Sequence, residues 1–220
     1  MDIVIYSPVW FFGYDSISEL ISMFITFFVG FYAHRIYKLT QQKKFKYLYL
    51  SFMLMGIAFL AKSLTNLIIY REWVTQQLYI GKIVQLYSLY NFGYLVHIML
   101  MLASYMLLLL LLLDIKDVRI ISLAFIFVIL TTVLAHSQFT MFHVMSLILL
   151  GYVTVEFWKN ARKTKSKTAY SVFAAYVILI LSQLIFLFID DLPAFYVAAE
   201  LVQLVGYLVL LGTLVVVFKK

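Results

Sequence analysis

Lys62 sits in "SFMLMGIAFLAKSLTNLII" and Glu200 in "FYVAAELVQLVGYLVLL", two charges in otherwise apolar runs. An ionised side chain in hydrocarbon costs about 3 kcal/mol or more, so such groups turn inward, pair with one another or serve a site. Counting inward at 1.5 Å per residue puts Lys62 about 12 Å and Glu200 about 9 Å below one boundary, with Gln183 about 10 Å down in a third run. Other polar residues recur at helical spacing. Tyr87, Asn91, Tyr94 and His97 form one stripe, Tyr196, Glu200, Gln203 and Tyr207 another, and Asn66 lies one turn above Lys62. The expected ligand-binding set is therefore Lys62, Asn66, Asn91, Tyr94, His97, Gln183, Glu200, Gln203 and Tyr207. Three uses stand open for its charges. Lys62 and Glu200 form a structural pair that fixes helix order, or they relay protons, or Lys62 holds a small anionic or carboxylate-bearing ligand. In the last case Asn66, Asn91 and Gln183 orient the ligand, while Tyr94 and Tyr207 wall it in. Glu19 and Glu156 lie near the ends of their runs and are expected at the membrane interface, and His34 in a basic belt.

Catalytic chemistry finds little to work with. There is no HExxH, GxSxG, Walker A or CxxC pattern, and no Cys at all. His136 and His143 share a helical face but stand about 10 Å apart along the axis, too far for an easy common zinc ion. The expectation is no catalytic residue, no metal, no cofactor and no enzyme activity.

The elements that position these residues follow from composition. In 220 residues, 65% are hydrophobic and 12% charged, against roughly 45–50% and about 25% in soluble domains. About 20 apolar residues span a bilayer, and runs near that length read as 17–37, 47–70, 86–113, 118–135, 139–158, 169–189 and 194–218. The expected fold is an all-α membrane protein, a single seven-transmembrane-helix bundle over 1–220. Its basic residues alternate in side. Arg35, Lys38, Lys43, Lys44 and Lys46 follow the first span, Lys116 and Arg119 the third, Lys159, Arg162, Lys163, Lys165 and Lys167 the fifth, and Lys219 and Lys220 the last. That is fourteen of the 17, with Arg71 and Lys82 on the other side. By the positive-inside rule the N-terminus lies outside and the C-terminus in the cytoplasm, in the cytoplasmic membrane. A net charge of +7 placed in this way implies lipid headgroups and no nucleic acid.

The chain also repeats itself. A shift of 121 residues lays Lys38, Lys44, Lys46, Tyr49, Phe52, Ile57 and Leu60 over Lys159, Lys165, Lys167, Tyr170, Phe173, Ile178 and Leu181, and Lys62 over Gln183. "GYLV" occurs at Gly93 and again at Gly206, and the turn "DDLPA" at 190–194 shortens the second half. Helices one to three (about 16–113) then repeat in parallel as helices five to seven (about 139–218), with a linker helix at about 118–135. This layout resembles the seven-helix 3+1+3 membrane proteins: the SWEET and PQ-loop carriers, the rhodopsin-like and receptor-like proteins, and the prokaryotic seven-helix sensor modules. The resemblance implies a site within the bundle. The retinal lysine of helix seven and the Pro-Gln pair are both lacking, and Pro8 and Pro193 fall outside the spans.

Three functions follow as expectations. The first is a sensor or receptor-like protein with an outward-facing polar pocket, signalling through cytoplasmic basic loops to a cytoplasmic or membrane protein partner. The alternatives are a small-solute transporter and a non-catalytic subunit of a membrane complex. The inner runs "LLLLLLLD" and "ISLAFIFVIL" are apolar, which favours a pocket open on one side.

Overall fold

The computed structural model describes residues 7–8, 10–11, 13–74, 80–115, 117–135, 137–189 and 192–218. Among these the chain is all helix: α1 (Tyr14–Thr40), α2 (Lys43–Val74), α3 (Ile80–Leu112), α4 (Val118–Val133), α5 (Gln138–Thr164), α6 (Lys167–Phe186) and α7 (Ala194–Phe218). The side chains of Lys82, Tyr87, Lys116, His136, Asp190, Asp191, Lys219 and Lys220 lie outside the described residues.

Most helices run past the apolar windows that announce them. Apolarity marks the stretch that meets lipid, whereas helical hydrogen bonding continues into the basic ends; α5, for example, reaches Thr164 through Lys159, Arg162 and Lys163. Local signals set several boundaries. Asp117 caps α4 by accepting from the Arg119 amide at 2.8 Å, and Ser137 caps α5 by accepting from the Thr140 amide at 3.3 Å. Gln41 and Lys165 end α1 and α5 in the left-handed region, at φ 55° and 50°. Each is followed by a single residue before the next helix begins. These two turns are 124 residues apart, not 121, so the gap-free repeat slips by about one helical turn where it crosses them.

Side-chain bonds fix the helix directions. Ser18 of α1 meets Glu200 of α7 near the start of both helices, so these run parallel. Lys62–Glu200, His97–Ala58, His143–Gln183 and Ser171–Thr213 set α2 and α6 against them. We call the end where α1, α3, α5 and α7 begin the upper end. Among the described residues, neighbours follow the order α1–α2–α3–α5–α6–α7 and back to α1, a closed ring of six, while α4 touches α3 and α5 from outside. Six helices are long and apolar enough to cross a membrane; α4, at 16 residues, is shorter. Yet rings of Tyr94 and His97, well before the end of α3, pack on Phe139 and Phe142 at the start of α5. The lower end of α3 and the upper start of α5 are thus separated by most of the bundle's height, and the roughly 24 Å of α4 covers it.

The outer surface is apolar, and polar side chains turn inward beside an apolar core. On α1, Asp15, Ser18, Glu19, Ser22 and Thr26 are buried, whereas Ile17, Ile21, Phe24, Phe28 and Phe31 are exposed at three-to-four spacing. On α4, Leu123, Ile126, Phe127 and Leu130 are likewise exposed. A helix in water turns the other way, and apolar faces on this scale need a nonaqueous partner. The chain is an integral membrane protein.

The "GYLV" pair has a structural meaning. A Cβ at Gly93 would overlap the Thr65 hydroxyl of α2, and one at Gly206 would lie 2.8 Å from Leu179 Cδ2 of α6. Each glycine marks the close approach of the third helix of its half to the second.

Candidate functional site

Lys62 is the hub of the site. Its Nζ lies 2.8 Å from Glu19 Oε1 on α1 and 2.8 Å from Glu200 Oε1 on α7, with side-chain exposures of 14% for the lysine and 0% and 4% for the carboxylates. The ammonium also stands 5.8 Å from the centre of the Tyr196 ring, a cation–π contact. Each carboxylate has a second donor: Asn66 Nδ2 reaches Glu19 at 3.3 and 3.4 Å, and Ser18 Oγ reaches Glu200 Oε2 at 3.4 Å. Three helices, from both ends of the chain, are therefore tied at one point, on the seam where α1 meets α7 and closes the ring.

Asp15 adds a third carboxylate. It is 1% exposed. Its Oδ1 accepts from the Gly13 and Ser16 amides at 2.9 and 2.7 Å, while its Oδ2 has no hydrogen-bond partner among the described residues. Asp15 and Lys62 line one small cavity together with Thr65, Asn66, Tyr90 and Tyr196, of about 10 Å³. A second, of about 20 Å³, shares Lys62, Tyr90, Tyr94 and Tyr196 with the first and is lined also by His97, Phe142, His143 and Gln203. Volumes of this order hold a water molecule.

The histidines belong to a ring-packed wall. His97 Nδ1 lies 3.0 Å from the Ala58 carbonyl, and His143 Nδ1 2.7 Å from Gln183 Oε1. His143 stacks on Phe186 with ring centres 4.4 Å apart, and Tyr94 on Phe139 at 6.2 Å. In each half a polar residue of the second helix thus bonds back to the first, among them Lys62 to Glu19 and Gln183 to His143.

No family model matches the chain, and no curated protein and no solved structure matches it. The site's chemistry is accordingly read from its own residues.

Four expectations change. Glu19, expected at the interface, is fully buried and holds Lys62; the signal lies in the run Asp15, Ser18/Glu19, Ser22, Thr26, a polar stripe at helical spacing. Asn91, expected in the pocket, is exposed on the outer surface of α3. At 100° per residue Tyr90, Tyr94 and His97 fall within about 60° of one another, while Asn91 points about 100° away from Tyr90; Tyr90 takes the inward place. Gln183 and Tyr207 are buried but line neither cavity. Gln183 is held by His143, and Tyr207 packs in the apolar core, edge-on to Phe59 at 5.2 Å. Finally, Lys62, expected to face an anionic ligand, lies between two carboxylates. With Asp15, three carboxyl groups stand around one ammonium.

Proposed function

We propose that the chain is a non-catalytic membrane sensor or receptor-like protein, in the cytoplasmic membrane, with its upper end outside and its lower end in the cytoplasm. The orientation rests on charge. Arg35, Lys38, Lys43, Lys44, Lys46, Arg119, Lys159, Arg162, Lys163, Lys165 and Lys167 belong to the lower ends of their helices and Arg71 to the upper end of α2. The observation that carries the function is the sharing of partly buried Lys62 by two buried carboxylates, Glu19 and Glu200, at the ring seam.

Any change of charge at that point alters what holds α1 and α7 to α2, and α1 and α2 run on to the basic lower end, where a protein partner reads the change. The cue is a proton. Glu19 and Asp15 from α1 and Glu200 from α7 face one ammonium, and the flanking cavities admit nothing larger than water without repacking. Facing the same centre are Tyr196 and Gln203 of α7, Tyr90, Tyr94 and His97 of α3 and His143 of α5. A carrier is the second reading, favoured by the two small cavities that Lys62 lines. Against it, Tyr105, Tyr176 and Tyr207 fill the core with apolar neighbours.

Because the chain has no Cys, a single Gln42→Cys variant takes one environment-sensitive fluorophore on the exposed α1–α2 turn. In liposomes with fixed internal pH, lowering the external pH is expected to give a saturable emission change that the added pair Glu19→Gln and Glu200→Gln abolishes. Emission that ignores external pH, or that responds equally in both backgrounds, overturns the proposal.

A further inference from the structure

The lower end carries a cavity of a different order. It is about 510 Å³, and Lys43, Lys44, Tyr47, Leu107, Leu110 and Leu111 form most of its lining, a volume in the range that takes an organic ligand. It exists because α4 packs on α3 and α5 and not on α2, which leaves a cleft over α3 between the start of α2 and the start of α4. Its two walls differ in chemistry. Leu107, Leu110 and Leu111 recur at three-to-four spacing on the last turns of α3, and Ile121 of α4 faces them across the cleft, so its depth is hydrocarbon. The rim is cationic. Lys43 and Lys44 open α2, whose first turn has no acidic residue, and neither forms an ion pair among the described residues. Asp114, which also lines the cavity, has an interaction of its own.

We infer that this cleft is a binding site for an anionic phospholipid of the surrounding bilayer, with one acyl chain lying along Leu107, Leu110 and Leu111 and the headgroup phosphate on Lys43 and Lys44. An apolar trough that ends in two ammonium groups, neither in an ion pair among the described residues and Lys44 lying 5.1 Å over the Phe45 ring, matches an anionic amphiphile in charge and in layout. A zwitterionic lipid satisfies the trough but not the rim, and a free phosphate the rim but not the trough. The site stands apart from Lys62, and its test is independent of the sensing proposal.

The experiment is native mass spectrometry of the detergent-solubilised full chain, titrated with phosphatidylglycerol or with phosphatidylcholine of the same acyl chains. The chain is expected to bind phosphatidylglycerol more tightly, by roughly thirtyfold if two lysines near a headgroup contribute as they do at a membrane surface. Lys43→Gln with Lys44→Gln should remove that preference. Leu111→Trp, which fills the half-exposed side of the trough, should lower the retention of both lipids. The paired control Lys163→Gln with Lys165→Gln, in the other basic turn, should leave binding unchanged. Equal binding of the two lipids, an equal loss in the control pair, or undiminished retention in Leu111→Trp in a chain whose thermal unfolding is unchanged, would overturn the inference.

Discussion

At the scale of the residue, the decisive group is Lys62, because its loss and the loss of its partners have different consequences. Removing one member of a buried ion network strands the rest, at a cost of about 3–5 kcal/mol, whereas replacing the whole set by neutral groups is often without penalty. Lys62→Met leaves Glu19 and Glu200 facing each other with no cation between them. We expect it to lower the denaturant midpoint sharply in detergent, and Lys62→Met with Glu19→Gln and Glu200→Gln to restore most of the loss. Gln183→Leu is the milder case. It leaves the His143 ring nitrogen buried without its partner and should destabilise by about 1–3 kcal/mol in the same assay. The Lys62–Glu200 meeting is legible in the sequence because matched depth is all it needs. Glu19 is not, because a carboxylate near a helix end reads as interfacial unless the polar stripe of α1 is followed turn by turn. Asn91 shows the opposite error, where a polar residue near the right spacing is rotated out by one position.

At the scale of the element, all seven helices are legible, since each carries an apolar run and the connections hold the basic and capping residues. Their contacts are not, because which faces touch depends on small residues whose role appears only in pairs. The two "GYLV" glycines are such positions. Gly93→Ala drives a methyl group into Thr65, whose hydroxyl is bound to the Ala61 carbonyl at 2.8 Å and does not swing away freely. Gly206→Ala meets Leu179 within 2.9 Å. Both should destabilise by about 1–3 kcal/mol as overpacked contacts. Gly151 and Gly212 have open space where a Cβ would go, so alanine there should be neutral or stabilise by up to about 1 kcal/mol through helix propensity. Thermal unfolding of the four variants side by side separates the classes.

At the scale of the whole molecule, the sequence carries the membrane class through composition and the sidedness of the lysines, but not the ring order that brings α1 beside α7 and leaves α4 outside. That closure is a long-range event between the two ends of the chain, and it makes the Lys62 centre a joint instead of a local pair. Orientation is directly checkable. A membrane-impermeant thiol reagent should label Leu192→Cys from outside intact cells, and Gln42→Cys and Ser166→Cys only after the membrane is opened. We propose that the charges at the joint transmit a cue and do more than hold three helices together. That proposal is tested most directly by the neutral triple variant Glu19→Gln, Lys62→Met and Glu200→Gln, carrying the Gln42→Cys fluorophore in liposomes. We expect a folded chain with a melting temperature within a few degrees of the parent and no emission change on external acidification. A triple variant that responds as the parent does would contradict it.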